Sequence, residues 1–384
     1  MLSPRRYPTF TKMPSPSSGR TFVLVSHDGF GLGHVRRNAL IAQRLLSEPD
    51  TRVVMVTGAD VGVPWLTHPR LTVVSVPSMT KDVAGNYSSP HLPFEQALAQ
   101  RSRLLRKVVQ EVRPTAVVID RHPYGIGGEW RPGIEEAKGN GARIVIGLRD
   151  ILDDPAVVRI EMDGDGWNDV THLFDDAFVY GAPSICDHQL EYGLKLSPTY
   201  VGWVTDAAHS AQRDAGLVVV TAGGGADGDV LLRLALATAT IRDDRRFLIV
   251  AGPYAESVPR SRTTSDRVRV VRSIPSCADA FATAGFVVQM AGYNSTFESL
   301  LAGVRPILLP RRAPRREQAI RATRLSSLGL ADVLDDASTP SELAWLLERS
   351  RSFDPQVLVQ AGIRFGGAEQ AASMLLTSER QLVR

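Results

Sequence analysis

A two-domain α/β architecture, each domain built on a parallel β-sheet, is predicted by three features of this 384-residue chain. Short apolar runs alternate with segments of helical periodicity, as in parallel sheets covered on both faces. The pattern restarts near the middle, so that each half opens with a strand, a glycine-rich turn and a helix. The length also exceeds what one compact core ordinarily fills.

Residues 21–26 (TFVLVS) read as the first strand, followed by the turn HDGFGLGH and by helical spacing over 35–46. Residues 52–58 (RVVMVTG) and 71–76 are the next strands, and 94–112 is a long helix bounded by Pro93 and Pro114. Residues 116–119, 142–147 and 173–179 supply further strands. The acidic stretch 151–168, with Gly164 and Gly166, is expected to cover a cleft or to bridge to later elements. Polar and small residues over 200–214 mark the domain boundary. Beyond it come a strand at 217–221, the turn AGGGADGD and a helix at 230–240. Later strands fall at 247–251, 268–271, 286–290 and 305–310, with a helix over 316–328. A final helical segment, 370–376, is expected to pack across the domain junction. The expected organisation is a leader over 1–20, an N-terminal domain over 21–205 and a C-terminal domain over 206–384 that includes the terminal helix.

With 43% hydrophobic and 22% charged residues, the composition is that of a folded globular protein. A net charge of only +3 argues against a dedicated nucleic-acid binder and confines electropositive surface to the neighbourhood of an anionic ligand. The two cysteines, Cys186 and Cys277, lack partners at metal-ligand spacing, which disfavours a zinc site or a disulfide scaffold. No apolar run reaches the length of a membrane span, and the Pro-, Ser- and Arg-rich leader has no hydrophobic segment. A cytoplasmic protein is expected; contact with a membrane surface and the oligomeric state are left open.

Three constellations can carry chemistry. The first is His27-Asp28-Gly29-Phe30-Gly31-Leu32-Gly33-His34, between a strand and a helix. Its glycines, Gly31 and Gly33 among them, permit close approach of a ligand, and the helix start presents unpaired N–H groups. His34 falls near the first helical turn at the strand ends, where an imidazole can take a proton from an attacking hydroxyl. The alternative is a histidine that merely closes the turn. His27 reads as turn structure or as a substrate contact, and Arg36 and Arg37 as solvated side chains or anion ligands. The second is Gly223-Gly224-Gly225, a loop whose amides can cradle phosphate; with no GK[ST] following, an ATP-binding loop is disfavoured.

The third is Met290-Ala291-Gly292-Tyr293-Asn294-Ser295-Thr296-Phe297-Glu298. Ser295 and Glu298 have the spacing of a capping box, while the amides and hydroxyls of Asn294, Ser295 and Thr296 suit a diphosphate. Glu298 has a competing role, accepting hydrogen bonds from two ribose hydroxyls, and spacing leaves both open. A basic stretch follows, Arg311-Arg312-Ala313-Pro314-Arg315-Arg316-Glu317-Gln318, in which Arg316 offers charge to a pyrophosphate and Gln318 directional polar contacts. A solvated helix start is the bland reading of the same residues.

These residues resemble the GT-B glycosyltransferases, especially the branch that includes the bacterial peptidoglycan N-acetylglucosaminyltransferase. The resemblance rests on Gly31-Leu32-Gly33-His34, on Gly223-Gly224-Gly225, and most strongly on residues 292–306 (GYNSTFESLLAGVRP) continuing into Arg316-Glu317-Gln318. It spans about residues 21–376 and implies two Rossmann-like domains facing a central cleft. The N-terminal domain would hold most of the acceptor and the C-terminal domain most of a nucleotide-diphosphate sugar. It also moves Glu298 toward ribose recognition and His34 toward the acceptor.

The reaction so implied is attack of an acceptor hydroxyl on the anomeric carbon with inversion. His34 would act as base, and Asp120 or His122, just after a strand, would assist or else organise the loop DRHPYGIGGEW. No obligatory metal or cofactor is implied. The rivals are a nucleotide-sugar hydrolase of related fold, an epimerase, and a non-catalytic sugar-nucleotide binding protein.

Overall fold

The computed structural model describes residues 19–27, 33–59, 67–81, 86–206, 208, 212–224, 227–252, 255, 266–349 and 351–377. Gly31 and Gly225 lie outside the described residues. The chain divides into two units. One takes the described residues up to Asp150, then Pro155–Val204 and everything from Gly366; the other takes Ile151–Asp154 and Thr205–Phe365.

The first unit runs β1 (Arg20–Val25), α1 (Gly33–Leu46), β2 (Thr51–Thr57), β3 (Leu71–Ser75), a small hairpin of β4 (Thr80–Lys81) and β5 (Tyr87–Ser88), α2 (Phe94–Val112), β6 (Ala116–Asp120), α3 (Arg131–Gly139), β7 (Arg143–Arg149), α4 (Pro155–Asp163), α5 (Val170–Leu173), β8 (Asp176–Tyr180), α6 (His188–Tyr192) and β9 (Pro198–Tyr200). Seven strands form one parallel sheet in the order β3-β2-β1-β6-β7-β8-β9. The central strands are apolar on both faces, as β6 (AVVID, buried throughout) shows, because helices cover each side. In α1, Val35, Ala39, Ala42 and Leu46 recur on one buried stripe, as an amphipathic helix requires.

The second unit repeats the plan with β10 (Asp214–Thr221), α7 (Asp229–Ile241), β11 (Arg246–Val250), β12 (Val268–Val271), α8 (Cys277–Thr283), β13 (Ala284–Gln289), α9 (Tyr293–Leu301), β14 (Ile307–Leu308), α10 (Glu317–Ser327), β15 (Asp332–Val333), α11 (Pro340–Leu346) and α12 (Gln356–Gln360). Its parallel sheet has the order β12-β11-β10-β13-β14-β15. In both sheets the chain first builds outward on one side and then returns across its opening strand. The order therefore reverses between β1 and β6 in one unit and between β10 and β13 in the other. Crevices at the carboxyl ends of the strands beside such a reversal are where open α/β sheets bind ligands.

The last helix, α13 (Gly367–Leu376), corrects the expectation that placed it with the C-terminal domain. It packs on α1 of the first unit. Arg44 pairs with Glu369 at 2.7 Å, and Arg20 and Arg143 donate to the Leu376 and Met374 carbonyls. A Cβ on Gly367 would lie 2.4 Å from the Gly202 carbonyl oxygen, so glycine is what lets the helix begin there. The acidic stretch after β7 is divided too: residues 151–154 belong to the second unit, and α4 begins at Pro155 in the first.

Candidate functional site

At the first reversal point, β1 ends beside Ser26 and His27, α1 opens at Gly33, and β6 ends at Asp120. Residues 34 and 120 are distant in sequence but meet here. His34 Nδ1 lies 2.6 Å from Asp120 Oδ2, and Arg37 donates to the other carboxylate oxygen at 2.5 Å. Asp120 is 3% exposed, Arg37 1% and His34 8%. Arg37 also stacks its guanidinium 4.6 Å from the Tyr180 ring centroid. The reading of Arg37 as a solvated side chain or anion ligand is thereby corrected. Its position one helical turn after His34 carries it into the core, where it neutralises Asp120.

The short contact fixes the protons. A carboxylate only accepts, so His34 Nδ1 carries the hydrogen and donates it to Asp120. Arg37 also lies 3.0 Å from Nδ1, but a guanidinium cannot donate to a nitrogen that is itself a donor. The Nε2 atom of His34 therefore holds the ring's lone pair. Burial holds this imidazole below the ordinary histidine value, at about 4, against the opposing pull of the Asp120 charge; Arg37 and Arg149 lower it further. Burial alone would raise the Asp120 carboxyl, but Arg37 and then His34 outweigh it and bring it down to about 2. The centre is a neutral base oriented by an ionised acid.

His27 and His122 stand beside it. The His27 ring packs edge-on against His34 and His122, with centroids 5.3 and 4.9 Å away, and its Nε2 is 3.3 Å from the Tyr87 hydroxyl. The loop bearing His122 is anchored from behind by a buried pair, Arg101 Nε to Glu129 Oε1 at 3.0 Å, with Arg101 also 4.5 Å from the Trp130 ring centroid.

At the second reversal point, Gly223 and Gly224 follow β10 and Gly292 follows β13. Gly223 has a φ of +64°, and its N–H donates to Thr221 Oγ1 at 3.2 Å. Gly252, after β11, has a φ of +101°, and a Cβ there would come 2.7 Å from the Gly223 and Gly224 backbone. Two glycine-bearing turns are thus pressed together at the strand ends. Gly252→Ala combines a left-handed conformation with a backbone clash, and is expected to cost about 1–3 kcal/mol, read as a lower midpoint in a denaturant melt.

Helix α9 begins at Tyr293 with Gly292 as its extended N-cap and no side-chain cap. The expected capping box is therefore displaced: Ser295 sits inside the first turn, and its spacing to Glu298 is ordinary helical spacing. Gly292, Asn294 and Ser295 are partly exposed, whereas Thr296 and Glu298 are buried, at 0% and 2% exposure. The Thr296 hydroxyl and both Glu298 carboxylate oxygens are buried. Beneath the helix, Gln289 donates to the Ser295 carbonyl at 3.2 Å and the Ser299 hydroxyl at 2.9 Å, tying the first turns to the strand end. Arg321 is buried and donates to the Ala291 carbonyl at 2.7 Å.

In the basic stretch, Arg311 is the organising cation. It bridges Asp227 after the glycine loop and Glu317 at the start of α10, at 3.0 and 2.6 Å. Gln318 accepts the Arg311 backbone N–H through Oε1 at 3.1 Å, which gives it a loop-closing contact. Arg316 is exposed; its N–H donates to Asp153 and its guanidinium to Asp154 at 2.7 Å. The sequence marks Arg311 only as one cation of the basic stretch; its bridging of Asp227 and Glu317 was not legible, because position 227 lies in a separate segment.

No family model matches the sequence, and no curated protein matches it. Solved structures do. A glycosyltransferase of kitacinnamycin aligns over 96% of this chain and 100% of its own at 16% identity, with a TM-score of 0.66. A Phytolacca americana enzyme, UGT2, complexed with UDP-2-fluoro-glucose and pterostilbene, covers 94% of this chain and 95% of its own at 16% identity and a TM-score of 0.62. MurG of Acinetobacter baumannii covers 93% and 99%, at 16% identity and a TM-score of 0.58. With its two parallel α/β units and these structural likenesses, the chain has the GT-B glycosyltransferase fold.

Proposed function

We propose that the protein is a glycosyltransferase that moves a sugar from a nucleoside-diphosphate sugar to an acceptor hydroxyl. The observation that carries this reading is the His34–Asp120 pair, with Nδ1 spent on the carboxylate and Nε2 left as the basic nitrogen. In the reaction, His34 Nε2 takes the acceptor's hydroxyl proton as the oxygen forms its bond to the anomeric carbon. The bond from that carbon to the diphosphate oxygen breaks, and the nucleoside diphosphate leaves with the electron pair. One displacement of this kind inverts the anomeric configuration. Asp120 steadies the imidazolium as it forms and Arg37 keeps Asp120 ionised.

We assign the donor to the second unit and the acceptor to the first. The N-terminal amides of α9 at Asn294 and Ser295, with the glycine turn at Gly223–Gly224, are suited to the charge that grows on the departing diphosphate. On this reading the backbone amides carry that stabilisation, without a divalent cation. The Phytolacca enzyme, complexed with a nucleotide-sugar analogue and a second small molecule, offers the same pairing of ligands.

Incubation with a panel of nucleotide sugars, with and without hydroxyl-bearing acceptors, tests the proposal. Nucleoside diphosphate and a glycosylated product are expected together, and only when acceptor is present. Equal donor consumption without acceptor would show a hydrolase instead. His34→Ala should lower transfer about 10²–10⁴-fold while donor affinity, read by calorimetry, stays intact.

The pH profile should carry the same signature. A lowered histidine value means the neutral base persists well below pH 6.5 and is lost as pH falls through about 4. The acid limb of kcat/KM for the acceptor should therefore lie near 4, within the range where circular dichroism shows the protein folded. A limb at 6.5 would exclude buried His34 as the base.

A further inference from the structure

The ion pair behind His34 has a support of its own, supplied by the next two strands of the sheet. Asp120 pairs with Gly147 across β6 and β7, and Arg149 with Tyr180 across β7 and β8. Side chains alternate along a strand and register partners share a face, so positions 120, 147 and 180 lie on one face of the sheet. Of these, position 147 alone carries no side chain. A Cβ there would come 2.5 Å from the Tyr180 hydroxyl oxygen and 2.9 Å from its Cε2. Gly147 therefore admits the tyrosine, whose ring reaches across β7 to the side of the sheet where Asp120 meets α1.

Tyr180 is fully buried, and its ring lies against the Arg37 guanidinium, with 4.6 Å between the centroid and Cζ. Arg37 donates to Asp120 Oδ1 at 2.5 Å, while Oδ2 takes the His34 Nδ1 hydrogen at 2.6 Å. Burial pushes the Tyr180 phenol above its ordinary value over the opposing pull of Arg37, so the ring stays neutral beside the cation. A neutral aromatic face attracts a desolvated guanidinium and fixes the plane of a side chain that otherwise turns about several bonds. That plane decides where the guanidinium points, because the nitrogen on Oδ1 also lies 3.0 Å from His34 Nδ1. Tilted off Oδ1, it would release the carboxylate whose Oδ2 orients His34.

We propose that Tyr180 is a positioning residue of the transfer reaction: its ring holds the Arg37 guanidinium on Asp120 Oδ1, which steadies the carboxylate with Oδ2 turned to His34, and Gly147 makes room for that ring. Tyr180 acts through Arg37 and Asp120 and not on the substrate. This inference rests on the transferase reading above.

The test uses the full chain with the donor and acceptor identified from the nucleotide-sugar panel. Tyr180→Leu keeps an apolar side chain but removes the aromatic face, and should lower kcat about 10–10²-fold with both KM values near wild type. The charged and titratable groups facing His34 are Asp120, Arg37, Arg149 and His27. Burial, then Arg37 and Arg149, hold its value at about 4 against the pull of Asp120. Loosening Arg37 should therefore move the acid limb of kcat/KM, and the NMR titration of the His34 ring, upward from about 4 toward 6.5. A mere loss of folded protein would lower the rate and leave both pH values in place. Tyr180→Phe retains the ring and should lose far less, about threefold at most. Gly147→Ala approaches the same contact from the other side: its methyl should displace the ring and lower kcat, and adding Tyr180→Phe should recover part of that loss by removing the nearest atom. Wild-type kcat with an unmoved His34 titration in Tyr180→Leu would overturn this inference alone, as would an equal loss in Tyr180→Phe. If Tyr180→Leu does not fold, the same unmoved pair of readings in Gly147→Ala would overturn it. Absence of transfer from any donor to any acceptor by wild type would overturn the transferase reading and this one with it.

Discussion

Asp120→Asn is expected to reduce sugar transfer about 10²–10⁴-fold while leaving fold and donor affinity in place. The reason lies in what Arg37 dictates to the replacement. Arg37 donates to Oδ1 of residue 120, so an asparagine must keep its carbonyl oxygen there and turn its NH₂ toward His34. The NH₂ group can only donate. His34 Nδ1 must then accept, the ring hydrogen moves to Nε2, and the atom facing the acceptor becomes a donor. The base is disabled by a change of tautomer alone, with every heavy atom where it was. Steady-state transfer rates and a calorimetric donor titration on the same preparation check this. Wild-type rates in Asp120→Asn would remove the His34–Asp120 pair from the mechanism.

That pair also marks where the sequence stops being legible. The strands and glycine turns could be read because each is local: an apolar run of five or six residues, a glycine cluster, then helical spacing. Helix α2, bounded by Pro93 and the region of Pro114, was read with its limits at 94 and 112, since its signals lie at its own ends. His34 stood out because it opens a helix after a glycine turn. Its partner lies 86 residues away, and only the order of strands, which sets β6 beside β1, brings the two together. Arg37 was misjudged for the same reason: nothing local says that an arginine away from the Val35–Leu46 stripe of α1 is buried against a carboxylate.

Other misreadings arose from competing local signals. Ser295 and Glu298 match a capping box, but Gly292 takes the extended conformation first and starts the helix before Ser295 can cap it. Residues 370–376 were correctly helical, yet helical periodicity carries no information on which core the apolar face will join. In the structure Ala368, Ala371, Ala372 and Leu375 are buried in the first unit, with Gly367 fitted against Gly202. The strand expected over 305–310 shrinks to Ile307–Leu308, as flanking prolines at 306 and 310 deprive the ladder of two donors.

Arg37→Met should be the most destabilising substitution at this centre, costing about 3–5 kcal/mol at neutral pH. Methionine fills much of the same buried volume, so the penalty is chiefly electrostatic. Asp120, 3% exposed, loses the cation that most lowers its carboxyl, and an ionised group is left in the core with only His34 against it. The pH dependence fixes the sign. A carboxyl whose folded value is depressed from 3.8 to about 2 contributes stability that is complete above 3.8 and disappears as pH falls through about 2. The gap between wild type and Arg37→Met in denaturant melts should thus be full at pH 7 and narrow below pH 4. Adding Asp120→Asn to Arg37→Met removes the stranded charge and should recover part of the stability, because the two side chains form one unit rather than two independent contributions. Transfer should not recover in the double variant: stability needs only that no charge be stranded, whereas catalysis needs an ionised oxygen on His34 Nδ1. Additive losses in the two single variants and the double variant would show that Arg37 and Asp120 are not coupled, and the account of how Asp120 stays ionised would fail with them.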